Sequence, residues 1–340
     1  MGQEGLGAAR AAGAEEAAGR GTGRGAGRVV RRVRRTLLAA LVMGAVVVPV
    51  SAAARPRIPA PAPAVLAPVT ASTLDTAYAA NRANAAEAAH MAADHGDRTR
   101  AAADRAMADP SRHFLSFDGR GAGQAVEVFG DLAHADHVAV LVPGSDTTLE
   151  TYGRFRAGAL ALHDRLGPHT AVVAWLGYET PGTVSPTVLT TGRAEDAAPR
   201  LKGFIRELRS VVGQSARISL LCHSYGSVVC GRAAQGVDVA DIALVGSPGT
   251  GADSAAALHT SARVWAARGA DDWVAHVPHT STDLFGTTVG FGTDPVSPAF
   301  GAHVFAAGDG GHSDYFTPGS VSLDNLARIV LGDTSEVTRA

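Results

Sequence analysis

The chain has 340 residues, and 46% of them are hydrophobic, enough to supply a full core, while 18% charged residues and 40 glycines exclude wholesale disorder and a collagen-like repeat. The net charge of −2 divides into +5 on residues 1–54 (eight Arg, three Glu) and −7 on residues 55–340 (22 basic, 29 acidic). So acidic a remainder lacks the clustered Lys and Arg that phosphate contacts need, and nucleic acid is excluded as a partner. Lys202 stands alone against 29 arginines in an Ala- and Gly-rich chain, the codon signature of a GC-rich bacterial genome. Ala-rich stretches therefore carry less structural information here than usual.

Taken in chain order, Arg28–Arg35 (RVVRRVRR) is a basic stretch that precedes the apolar run Leu37–Val50, and the small residues Ser51–Ala54 follow. These are the three parts of a secretory signal, so residues 1–54 are expected to direct export. The apolar run falls short of the roughly 20 residues that span a bilayer and is broken by Pro49, although a membrane anchor stays open as the alternative. Paired arginines raise twin-arginine export, and Val29, Val30 or Val33 could be true start codons, leaving 1–28 an artefact of start-site assignment. The expected location is secreted or in the cell envelope, with membrane contact only through this signal or anchor. Residues 55–71, opening RPRIPAPAPAVLAP, read as an extended Pro/Ala linker. From Ser72, with Asp75 three positions on, an Ala-rich helical segment interrupted by Gly96 runs to Asp109-Pro110. Its few large apolar residues suit one or two peripheral helices.

Beyond Arg112 short β-rich runs alternate with helical stretches. Strands are predicted at His113–Phe117, Ala125–Phe129, His137–Val142, Ala171–Trp175, Arg217–Leu221, Ile242–Val245, Arg263–Ala266 and His303–Ala306. Helices are predicted at Leu149–Leu166, Ala194–Val212, Tyr225–Gln235 and Ser320–Leu331. Several strands (VAVLV, AVVAW, RISLL, DIALV) are nearly continuous apolar runs, as in a parallel sheet covered on both faces. The expected fold class is α/β, one doubly wound domain over residues 112–332.

The chemistry concentrates in Arg217–Gly231, RISLLCHSYGSVVCG. A strand runs into Cys222-His223-Ser224-Tyr225-Gly226 and then a helix, the context of a nucleophile elbow. Small residues are needed two before and two after the nucleophile, where the strand and helix backbones nearly touch. Gly226 supplies the second, and Cys222 replaces the usual first Gly. The bland alternative is a buried turn serine. A serine hydroxyl becomes a nucleophile when a histidine takes its proton, and that histidine needs an acid to fix its tautomer. Where the serine sits on a strand-to-helix elbow of this kind, acid and then base follow it in the chain. Gly269-Ala270-Asp271-Asp272, leaving a late strand, offers Asp272 with Asp271 in reserve, and His312, between the last strand and the last helix, is the base. His303 opens the strand and comes too early. Two backbone N–H groups should hold developing negative charge, that of Tyr225 and one from Pro143–Thr148, for which Ser145 is best placed. That loop reads equally as an ordinary strand-to-helix turn capped by Asp146 or Thr147.

On VPGSDTTLETY (142–152), WLGYETP (175–181), CHSYGS (222–227), VGSPGTG (245–251) and GGHSDYF (310–316), the chain resembles the α/β-hydrolase superfamily, and within it a bacterial family long catalogued as a domain of unknown function. The resemblance covers about Phe114 to Gly332. It implies an α/β-hydrolase fold, with a mostly parallel central sheet and helices on both faces, and a serine–acid–histidine triad; it supplies no substrate. The chain departs from the family at Cys222 and in the charged Gly-Ser-Asp turn at 144–146.

The remaining candidates weigh less. His223 should point opposite to Ser224 and pack or hydrogen-bond rather than act as base. Trp175, Tyr178 and Phe316 suit either the cleft or the core. His276 and His279 near Asp271 lack metal-ligand spacing, and no dinucleotide or phosphate-loop string occurs, so no metal or organic cofactor is expected. Cys230 lies one helical turn beyond Gly226, facing the strand that ends at Cys222, and an even pair in an exported chain can oxidise; the sequence leaves the pairing open. Loops 179–198 and 277–302 could shape the substrate site, the second carrying Phe285, Phe291 and Phe300 as an apolar lid or wall. The expected function is an exported serine hydrolase acting on a small or lipid-like acyl substrate. An amidase, peptidase or acyltransferase using the same residues, and a non-catalytic envelope scaffold that kept the fold, are the alternatives. Oligomeric state is beyond the sequence.

Overall fold

The computed structural model describes residues 58–277, 279, 281–284 and 287–340, which fall in the unit Ile58–Ala340. The expected export segment 1–54 and Phe285 lie outside the described residues. In chain order come α1 (Leu74–Asp94), α2 (Arg98–Met107), β1 (His113–Asp118), β2 (Gln124–Phe129), β3 (His137–Val142), α3 (Tyr152–Leu166), β4 (Thr170–Leu176), α4 (Gly192–Val212), β5 (Arg217–His223), α5 (Gly226–Ala233), β6 (Asp241–Val245) and β7 (Arg263–Ala267). A hairpin of β8 (Ser281–Leu284) and β9 (Thr287–Gly290), then β10 (His303–Val304) and α6 (Val321–Leu331), complete it.

Eight strands form one sheet in the order β1-β2-β4-β3-β5-β6-β7-β10. The first two pairings are antiparallel, and every pairing from β4 to β10 is parallel. The apolar runs explain this. In β3, Val138, Val140 and Val142 belong to one hydrophobic cluster, while Ala139 and Leu141 belong to the cluster on the opposite face. Such a strand is stable only with helices on both sides. α4 and α5 cover the first face, α3 and α6 the second. The mostly parallel, doubly covered sheet is the architecture that the resemblance implied.

α1 packs on β1 through alanines: Ala85, Ala88 and Ala92 are fully buried, and their small side chains admit the close approach that larger residues would prevent. Asn81 Nδ2 donates to Phe114 O (3.0 Å), tying helix to strand. Parallel β3, β5, β6, β7 and β10 all point their carboxyl ends to one edge. Loops leaving that edge converge in a crevice, the usual ligand position in such sheets.

Candidate active site

Ser224 follows β5 directly, with a left-handed backbone (φ +53°) that a side-chain-bearing residue adopts only when its surroundings hold it. Its N–H donates to Val245 O (3.0 Å) at the end of β6, and its carbonyl accepts from Ser227 N–H (2.9 Å), so the turn is fixed on both sides. α5 begins two residues later beneath β3. A Cβ on Gly226 would sit 2.5 Å from Val142 O, which explains why only glycine fits there. Cys222, at the position where glycine was expected, is bonded to Cys230.

His312, in the loop between β10 and α6, lies with Nε2 2.8 Å from Ser224 Oγ. Its Nδ1 is 2.9 and 3.1 Å from the two carboxylate oxygens of Asp272, which follows β7. A carboxylate only accepts, so Nδ1 carries the proton and Nε2 is left to accept from the serine hydroxyl. Asp272 accepts twice more, from Val274 N–H (2.9 Å) and Tyr315 OH (2.5 Å). Burial alone would raise its pKa, but the hydrogen bonds from His312, Tyr315 and Val274 outweigh burial and hold it below the ordinary value. Asp271 is exposed on the neighbouring turn and shares in none of these bonds.

His223 turns away from Ser224, as expected of its place on the elbow. Its Nε2 donates to the carbonyl of His312 (2.6 Å). Burial, with the neighbouring His312 second, lowers its pKa to about 4, so it is neutral near pH 7. The His312 ring is flanked by His223 (centroids 4.8 Å apart) and Trp273 (4.6 Å). Tyr315 and Trp273 were not singled out from the sequence. Tyr315 lay within the GGHSDYF string, which was the one available signal.

The loop after β3 closes over the serine: a Cβ on Gly144 would come within 2.6 Å of Ser224 Cβ. Neither the N–H of Ser145 nor that of Tyr225 has a hydrogen-bond partner among the described residues. Tyr178 OH donates to Pro143 O (2.6 Å), and Asp146 N–H donates to Pro181 O (3.0 Å), fixing the loop from behind. The Asp146 carboxylate accepts from Thr183 N–H (3.1 Å), so its charge has a partner beside the Gly144-Ser145 turn.

These groups open into a cleft of about 1170 Å³ whose walls include Phe155, Leu189, Trp273, Phe291 and Phe316. Three aromatic placements decide readings that the sequence left open. Trp175 and Tyr178 are core, and Phe300, within the 277–302 loop, is buried in the same core cluster rather than in a lid. Phe291 is buried against the Tyr225 ring and also lines the cleft.

The family model Abhydrolase_8, described as alpha/beta hydrolase, matches residues 118–282, a span that holds Ser224 and Asp272 and ends before His312. An uncharacterized protein of Mycobacterium tuberculosis, Rv2079, is 30% identical over 257 residues, covering 64% of this chain and 38% of its own. Another, Rv0963c, is 36% identical over 135 residues, covering 36% of this chain and 50% of its own. The chain thus spans half or less of the length of these curated relatives. Among solved structures, esterase PE8 is similar at 17% identity and a TM-score of 0.42, covering 60% of this chain and 96% of that one. A serine hydrolase without lid from Xanthomonas campestris is similar at 15% identity and a TM-score of 0.42, covering 66% and 95%.

Proposed function

With the chain a member of the α/β-hydrolase superfamily, we propose that it is a serine hydrolase that cleaves a carboxylic ester or related acyl bond through an acyl-enzyme. One observation carries the reading: the continuous chain from Ser224 Oγ through His312 to Asp272, at 2.8 and 2.9 Å. Ser224 Oγ attacks the carbonyl carbon while its proton passes to His312 Nε2. Asp272 holds the resulting imidazolium in place, and the N–H groups of Ser145 and Tyr225 stabilise the oxyanion. His312 then protonates the leaving group. Water, giving its proton to His312, attacks the acyl-enzyme, and His312 returns that proton to Ser224 Oγ as the acid leaves.

The apolar walls of the cleft support a small or lipid-like acyl substrate. Location outside the reducing cytoplasm is part of the same proposal, on the support of the basic, apolar and small-residue succession at 28–54 and of the Cys222–Cys230 disulfide. Labelling of the purified protein by a fluorophosphonate probe tests the reading. Wild type should react and Ser224→Ala should not. Labelling of both alike would exclude Ser224, and labelling of neither would favour a non-catalytic scaffold.

A further inference from the structure

The left-handed backbone of Ser224 (φ +53°) must be held by what surrounds it. The strand before it and the helix after it set where Oγ points. α5 is only eight residues long, too short to be a stable support by itself. The polar ties of the turn run from Ser224 N–H to Val245 O (3.0 Å), Ser227 N–H to Ser224 O (2.9 Å), Val228 N–H to Tyr225 O (2.9 Å) and Ser227 Oγ to Cys222 O (3.1 Å), and none of these joins β5 to the second turn of α5. Where glycine was expected two residues before the nucleophile, Cys222 instead crosses to Cys230, eight positions on, with Cα atoms 6.4 Å apart. The bond therefore joins the end of β5 to the second turn of α5 and encloses His223, Ser224 and Tyr225. His223, inside that closed loop, carries the His312 carbonyl at 2.6 Å, so the elbow's position also governs the base.

Resting on the hydrolase reading, we propose that the Cys222–Cys230 disulfide is a positioning element for the nucleophile and that full turnover is reached only once it has formed. Its formation converts two thiols to one disulfide with loss of two protons, and the two electrons pass to a disulfide oxidant such as oxidised glutathione, which leaves as two thiols. Both cysteines are fully buried, so a reductant reaches the bond only when the elbow opens. The bond is thus a maturation step that suits an oxidising compartment, and not a reversible switch.

The test begins by refolding the denatured, reduced full chain in parallel with a glutathione redox couple and with reductant alone, reading thiol state by alkylation and mass spectrometry. Cys222→Ala/Cys230→Ala supplies a form that cannot reoxidise. If it does not fold, Cys222→Gly/Cys230→Ala, which restores the usual elbow glycine, takes its place. Fluorophosphonate labelling rate, kcat and KM on a neutral ester, and hydrogen–deuterium exchange over residues 223–229 are measured below every form's melting temperature. The bond-free forms should label and turn over slower by a factor on the order of ten or more, with KM nearly unchanged and faster exchange over 223–229. A bond that contributes only stability would lower Tm and leave kcat and local exchange as in the oxidised chain, which overturns the proposal. Absence of labelling in the oxidised wild type would instead refute the hydrolase reading. Exchange over 223–229 would then still decide whether the bond holds the elbow.

Discussion

Asp272 accepts hydrogen bonds from His312, Tyr315 and Val274, whereas Asp271 beside it faces solvent. Asp272→Asn replaces one acceptor oxygen by a donor, which opposes the tautomer that leaves Nε2 free for Ser224. By analogy with a triad of the same geometry, it should slow ester hydrolysis by about 10⁴ while leaving the fold intact. Asp271→Asn should leave turnover nearly unchanged and shift stability by no more than about 0.5 kcal/mol, as is usual for exposed positions. Initial rates on a chromogenic ester, with thermal melts as a folding control, distinguish the two; a slow, well-folded Asp271→Asn beside an active Asp272→Asn would put the acid one residue earlier. In the sequence Gly269 favoured Asp272 but kept Asp271 in reserve, because a count along one turn does not fix which neighbour faces the loop of His312. Ser224 and His312 were legible because strand order leaves each a single loop to occupy. Tyr315 and Trp273 were not, because their place depends on how two loops face each other, and Tyr315 lies 43 residues from the carboxylate it touches.

Among the elements, α1 and α2 read from sequence as a peripheral addition, yet α2 carries a fully buried arginine at the crossing of three segments. Arg100 donates to Asp104 within its helix (3.1 Å), to the carbonyls of Gly119 (2.5 Å) and Gly121 (3.3 Å) in the β1–β2 turn, and to Glu150 (2.8 Å) at the cleft mouth. A composition rich in alanine gave no hint of this, since the partners come from distant loops. Arg100→Met would strand the buried Asp104 carboxylate and should cost about 3–5 kcal/mol in denaturant unfolding. Arg100→Met with Asp104→Leu removes both charges and should cost less than the single change. A single variant within about 1 kcal/mol of wild type would mean that the network contributes little net stability. Strand positions were otherwise legible from their apolar runs, while short or edge elements were not. α3 starts at Tyr152 rather than Leu149 because residues 149–151 complete the turn that Thr151 closes onto Asp146 O (2.7 Å). The β10 ladder is two residues, and Phe305, whose N–H still donates to Ala266 O of β7 (3.0 Å), also bridges Arg339 near the carboxyl terminus. The β8–β9 hairpin lies in a Gly/Pro-rich stretch whose pattern suggested only a loop.

At the scale of the whole molecule, buried groups of opposite sign titrate in one acidic window. His223 stays neutral in the fold down to about pH 4, because of burial first and His312 second, against an ordinary value of 6.5. The unfolded chain therefore binds more protons between those values, and His223 makes the fold less stable as pH falls through them. Asp104 is shifted up from 3.8 to about 6, burial outweighing Arg100, so its protonated form favours the fold at low pH and that gain is lost as pH rises through about 6. Asp272, with its pKa lowered, adds stability above the unfolded carboxylate value and loses it only at still lower pH. The wild-type profile is a partial cancellation and cannot by itself reveal His223. His223→Gln keeps an N–H for the His312 carbonyl but does not titrate, so the difference between the two proteins isolates the imidazole. Relative to His223→Gln, the wild type should lose about 2 to 3 kcal/mol of unfolding free energy between pH 7 and pH 4.5, measured by urea titration at each pH. Parallel curves for the two proteins across that range would show that His223 takes up its proton as readily in the fold as outside it, and that its contact with the His312 carbonyl tolerates a charge.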